Sequence, residues 1–140
     1  MKPFLLVLFL MVVAAGSLST QNLIAVQNGG NPSFFSNLDS AFVHAQPEDT
    51  IIIPGGGFVS NVSISKKIYI VGAGYNLDSA KSTGITIINQ LILSKNSDNC
   101  SLTGLSLGSI IVDACLKGFT VSRCSIQGGF FMDSIPQNVI

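Results

Sequence analysis

Seven carboxylates are the side chains this sequence offers for acid–base chemistry: Asp39, Glu48, Asp49, Asp78, Asp98, Asp113 and Asp133. Cleaving a glycosidic bond needs two carboxyl groups a few ångströms apart, or a base beside a cation clamp for an acidic sugar. No two of the seven are two residues apart, the spacing that sets both on one face of a strand. Glu48–Asp49 reads as a solvated turn, with Asp49 a corner residue. The single arginine, Arg123, has Lys117 six residues before it and no evident partners for a clamp. His44 is the only histidine and no Asp/His cluster accompanies it, so no metal site is expected. Neither a Ser–His–Asp set nor a nucleophile elbow is expected. Gly72–Ala73–Gly74 lacks the third glycine and the following helix of a dinucleotide loop, so no cofactor is expected. Catalytic residues: none are assigned.

Binding is better served. The segment Tyr75 to Thr83, "YNLDSAKST", is rich in small polar groups and carries Tyr75, Asp78 and Lys81. A tyrosine ring can stack on the apolar face of a sugar while Asn76 and Asp78 exchange hydrogen bonds with its hydroxyls. Tyr75, Asn76 and Asp78 are therefore the candidate ligand-binding residues.

The elements that must position them are short. "LIAV" (Leu23 to Val26) reads as a strand ended by Asn28–Gly29–Gly30. Phe35, Leu38, Ala41, Phe42 and Ala45 recur every three to four residues, which predicts a helix from Phe35 to Ala45. Ser36 or Asn37 would cap it, Asp39 would suit its first turn, and Gln46–Pro47 would end it. Beyond Pro47 the apolar runs are strand-sized and broken by Gly, Asn or Ser–Lys steps, with no crossover helix. A doubly wound sheet is excluded. A small antiparallel sandwich and a parallel β-helix both remain. "NCSLTG" at Asn99 matches "RCSIQG" at Arg123 with an offset of 24 residues, within the range of one solenoid turn. "ISK" at Ile64 is echoed by "LSK" at Leu93, with Tyr75 to Thr83 as an insertion between them. The repeat favours the β-helix, and the glycines then mark its corners.

Lys2, the apolar block "PFLLVLFLMVVAA" and the small residues of "AGSLS" predict a secretory signal peptide over residues 1–20. The block is short for a spanning helix, so export to a secreted or cell-surface location is expected, without stable membrane insertion after cleavage. Seven basic and seven acidic side chains balance, and no basic patch points to nucleic acid. Three cysteines, Cys100, Cys115 and Cys124, leave one unpaired in any framework. A bridge of Cys124 to Cys100 or Cys115 stays open beside buried free thiols.

Residues 40–74, "SAFVHAQPEDTIIIPGGGFVSNVSISKKIYIVGAG", resemble the opening of the pectin-lyase-like superfamily, particularly its secreted bacterial members. Asp49–Thr50–Ile51, Pro54–Gly55, Asn61–Val62–Ser63–Ile64, Lys66 and Gly72–Ala73–Gly74 carry the likeness; Phe58 departs from it, standing where tyrosine is usual. The resemblance implies an all-β chain: a right-handed, single-stranded parallel β-helix of three short sheets, with the helix as an N-terminal cap. It also implies interior ladders in which Cys100 stacks on Cys124 and Leu102 on Ile126. Residues 21–140 would be the N-terminal portion of such a domain, continued at its C-terminal end by more β-helix or by a partner chain. The function expected is a non-catalytic scaffold in adhesion or carbohydrate contact, its partner a polysaccharide or cell-surface glycan. The alternative is the N-terminal part of a polysaccharide-degrading lyase or glycoside hydrolase whose catalytic residues lie beyond residue 140.

Overall fold

The computed structural model describes residues 23–76, 78, 84–112 and 116–132. Residues 1–20, where a signal peptide is expected, lie outside the described residues, as do Lys81, Asp113, Cys115 and Asp133. So does the C-terminal stretch 133–140. Among the described residues no helix is long and apolar enough to cross a membrane.

The chain opens on a hairpin, β1 (Ile24–Gln27) and β2 (Ser33–Phe35), followed by one helix, α1 (Leu38–His44). Strands then alternate between two sheets: β3 (Thr50–Ile53), β4 (Gly56–Ile64), β5 (Tyr69–Gly72), β6 (Thr86–Leu93), β7 (Ser101–Thr103), β8 (Ser106–Val112), β9 (Thr120–Ser122) and β10 (Ser125–Met132). The first sheet has six strands in the order β2-β1-β3-β5-β7-β9, and the second has four in the order β10-β8-β6-β4. β3, β5, β7 and β9 pair in parallel, as do all strands of the second sheet, but β1 is antiparallel to both β2 and β3.

The period-2 pattern sorts residues between core and surface as the pleat requires. In β3, Ile51 and Ile53 are buried while Ile52 is exposed; in β6, Ile88, Leu91 and Leu93 are buried. Ile51, Ile70 and Leu102 stand side by side on β3, β5 and β7 and, with side chains from the second sheet, fill one core. Each fully buried Ile or Leu contributes on the order of 1.5–3 kcal/mol by leaving water. Helix α1 supplies Leu38, Ala41 and Phe42 and packs against β1, β2 and β4, closing one end of that core.

Three expectations are corrected. The three-sheet, right-handed, single-stranded parallel β-helix is not observed: the strands form two sheets, and the larger is mixed. One cause is local. Gly108 and Gly128, which looked like corners, lie inside β8 and β10; the register shifts there, but the same two strands pair again from Ser109 and Gly129, so no third sheet begins. The other is the hairpin around Asn28–Gly29, which reverses the chain; Gly29 takes φ +58° there. Second, Cys100 does not stack on Cys124. Residues beside each other on β7 and β9 are 19 apart, as in the Thr103–Ser122 hydroxyl pair, so the "NCSLTG" and "RCSIQG" copies enter different sheets. Cys124 falls beside Leu105 instead, and Ile126 pairs with Leu107 rather than with Leu102. Third, the helix starts at Leu38, because Phe35 belongs to β2 and Asn37 caps the helix by accepting from the N–H groups of Asp39 (2.8 Å) and Ser40 (3.4 Å).

Candidate functional site: a cleft at the ends of β5, β7 and β9

Strands β5, β7 and β9 end at neighbouring positions. Val71 pairs with Thr103 and Thr103 with Ser122, so Gly72, Gly104 and Arg123 follow one another across the sheet. A side chain at Gly72 would run into the carbonyl oxygen of Gly104, and one at Gly104 would come within 2.9 Å of the carbonyl oxygen of Gly72. The backbones can approach only because both residues lack Cβ. Their approach leaves a cleft of about 390 Å³ lined by Tyr75, Asn76, Thr103 and Arg123 together with residues 71–74 and Gly104.

The corner that carries Tyr75 and Asn76 is well held. Thr86 is buried; its hydroxyl accepts from the Ala73 N–H (2.8 Å) and donates to the Pro54 carbonyl (3.0 Å). The Gly74 N–H donates to the Gly104 carbonyl (3.0 Å), and the Gly74 carbonyl accepts from the Thr86 N–H (3.1 Å). Tyr75 is 44% exposed, free to present its ring to a ligand.

Of the three residues expected to bind ligand, the structure brings Tyr75 and Asn76 to the cleft. Asp78 does not line it; its N–H donates to Asn76 Oδ1 (2.9 Å), which braces the turn. Arg123 is the residue that sequence reasoning passed over. Its backbone is left-handed (φ 52°), at the register position that Gly104 (φ 69°) occupies one strand earlier. For a non-glycine residue that conformation costs on the order of 1–2 kcal/mol. Strain retained where glycine would serve is a pointer to function. The signal lay in the sequence as a Gly-to-Arg exchange at a 19-residue offset, invisible while the offset was taken as 24.

The described acids are engaged elsewhere or stand apart from the cleft. Asp49 is buried, with Oδ2 accepting from the Gln46 N–H (2.8 Å); Asp98 accepts from the Lys117 N–H (2.8 Å); Glu48 pairs with Lys67 (3.0 Å); Asp39 sits in the first turn of α1. His44 Nδ1 contacts the Ser40 carbonyl (2.9 Å) and its ring lies against Phe35. Gly104–Leu105–Ser106–Leu107–Gly108 has the spacing of a nucleophile elbow, but Ser106 is buried within β8 rather than raised on a strand-to-helix turn. Among the described residues no group of His, Cys, Asp and Glu could hold a metal ion. Cys100 and Cys124 are free thiols, both held above the ordinary thiol value of 9.0 chiefly by burial.

The cleft therefore offers a ring, an amide, a hydroxyl and a guanidinium, with no carboxylate in its lining. That set can stack, donate and accept, but among the residues lining it there is no carboxyl group to relay a proton. No protein-family model, curated protein or solved structure matches the chain, and nothing in these comparisons identifies a pectin-lyase-like protein.

Proposed function

We propose that the chain is a non-catalytic β-rich scaffold that contacts a glycan at the Tyr75–Arg123 cleft, in a secreted or cell-surface setting. The observation that carries this reading is the convergence of Tyr75, Asn76 and a strained Arg123 on one cleft. An exposed aromatic ring covers the apolar face of a sugar, and the amide and guanidinium satisfy its hydroxyls. The signal-like residues 1–20 support export. The alternative, a portion of a polysaccharide-degrading enzyme, gains a cation in Arg123 but no acid or base beside it among the cleft residues.

The test is binding of the purified chain to immobilised cell-wall and cell-surface glycans. Tyr75→Ala is expected to weaken the retained glycan at least tenfold with β circular dichroism preserved. Arg123→Gly is expected to weaken it similarly while leaving the urea midpoint unchanged or raised, since glycine relieves the left-handed strain. Unchanged binding in both folded variants would remove the cleft from consideration. Turnover of any polymer by the chain would overturn the non-catalytic reading.

A further inference from the structure

A second surface, on the four-stranded sheet, is made from a different set of groups. The register slips by one residue between Phe58 and Asn61 of β4 and again between Ile126 and Gly129 of β10. Such bulges bend a strand and re-aim its side chains. Between them lie two adjoining shallow depressions of about 480 and 260 Å³ that share Asn89, Gly108 and Gln127. Together they form a trough crossing the strands. Glycine makes up part of its floor: a Cβ at Gly108 would collide with the carbonyl oxygen of Asn89, and one at Gly128 would lie 2.5 Å from that of Gly108.

The polar groups of the trough are amides and hydroxyls, and no ionisable side chain lines it. They are loosely engaged. Asn89 Nδ2 stands 3.4 Å from Asn61 Oδ1, Gln90 Nε2 stands 3.4 Å from Ser109 Oγ, and Gln127 Nε2 stands 3.5 Å from Ser106 Oγ. All three exceed the usual N–H···O range of about 2.7–3.2 Å. Asn89 and Gln127 are exposed, so each keeps donor and acceptor capacity to spare.

We infer that this trough is a binding track for an uncharged linear glycan, lying across β6, β8 and β10. Charge decides the class: a lining without ionisable groups gives no attraction to an acidic polymer and suits a neutral one. Chemistry decides between glycan and polypeptide. A peptide joins a sheet along an edge strand through backbone hydrogen bonds, but the trough runs across the strands and over the inner β6 and β8, a path that a strand added at the β10 edge would not follow. Sugar hydroxyls both donate and accept, as do the amides that face them. The exposed amides Asn89 and Gln127 stand on β6 and β10 with Gly108 of β8 between them, two strand spacings or about 9.6 Å apart, close to the two-sugar repeat of an extended β-linked chain. The glycan class extends the reading above, but the surface and its residues are separate from the Tyr75 cleft.

The experiment uses the full chain, isotope-labelled, with cellohexaose as the neutral probe and hexagalacturonate as the charged one. Cellohexaose is expected to shift the side-chain amide signals of Asn89 and Gln127, with an affinity insensitive to salt. Asn89→Ala/Gln127→Ala is expected to lower the affinity read at these amides at least tenfold with unchanged circular dichroism. Four results would overturn the inference: no cellohexaose binding, full binding by the folded double variant, tighter salt-dependent binding of hexagalacturonate at these amides, or displacement of cellohexaose by a neutral extended peptide. Glycan binding that neither Tyr75→Ala nor Arg123→Gly weakens would overturn the cleft and leave the trough standing.

Discussion

Cys100 shows how one residue links packing to pH. Its Sγ accepts from the Ile68 N–H (3.4 Å) and its thiol donates to the Lys66 carbonyl (3.4 Å), with no solvent exposure. Burial raises its pKa above 9.0, outweighing the Ile68 hydrogen bond, and burial also raises that of Cys124. The folded state thus favours the neutral thiol. Below pH 9 both states are protonated and the contribution is fully present; above it the unfolded chain ionises first, and stability falls until the folded-state pKa is passed. Urea midpoints at pH 8 and pH 10.5 are expected to differ more in the wild type than in Cys100→Ala/Cys124→Ala. Lysine and tyrosine titration is common to both proteins, so the difference isolates the thiols. Equal slopes would contradict this account.

Helix α1, at seven residues, is too short to persist without tertiary support. Its N-terminus is capped by Asn37, but the C-terminal end is served from a distance. Lys66 Nζ donates to the carbonyls of Ala45 (2.6 Å), Phe42 (3.0 Å) and Val43 (3.4 Å). A cation on orphan carbonyls satisfies them and complements the helix dipole. Lys66 thus joins the β4–β5 turn to the element that closes the core. Lys66→Met keeps the aliphatic stem and removes the donors. It is expected to cost about 1.5–3 kcal/mol, the range for hydrogen bonds to a charged group. Hydrogen exchange should rise first at Ala45, whose N–H bonds the Ala41 carbonyl. Exchange unchanged in α1 would show that packing of Leu38 and Phe42 holds the helix by itself.

At the scale of the molecule the two ends differ. One is closed by α1 and the β1–β2 hairpin. At the other, β9 and β10 are the outer strands of the two sheets, and among the described residues no strand pairs with their far sides. Val121 stands in register with buried Leu102, and Phe130 with buried Ile110, yet they are 38% and 46% exposed. Phe130 also stacks on Phe119. Unpaired edges that present apolar side chains are templates for association. The chain is expected to self-associate with rising concentration in sedimentation velocity. Val121→Lys/Phe130→Lys, which puts inward charges on the edge, should shift it towards monomer. Association undiminished in a folded variant would place the contact elsewhere.

Sequence alone determined what depends on near neighbours. The strand-sized apolar runs after Pro47 were legible, as were a helix cap at Ser36 or Asn37 and the end of the first strand at Asn28–Gly29–Gly30, because each rests on interactions within a few residues; the hairpin that follows that end was not. One longer relation was legible too: Ile64 and Leu93, the heads of "ISK" and "LSK", stand side by side on β4 and β6. The number of sheets and the register of the later strands were not. A glycine that ends a strand and one that lets two strands touch within a sheet look alike in sequence. Only backbone pairing across 19 or more residues distinguished Gly104 from Gly108. The same pairing brought Arg123 to Tyr75 and Asn76 and spread Asn89 and Gln127 along one trough. Those groupings join residues with no local relation, and they exist only once the ladders are formed.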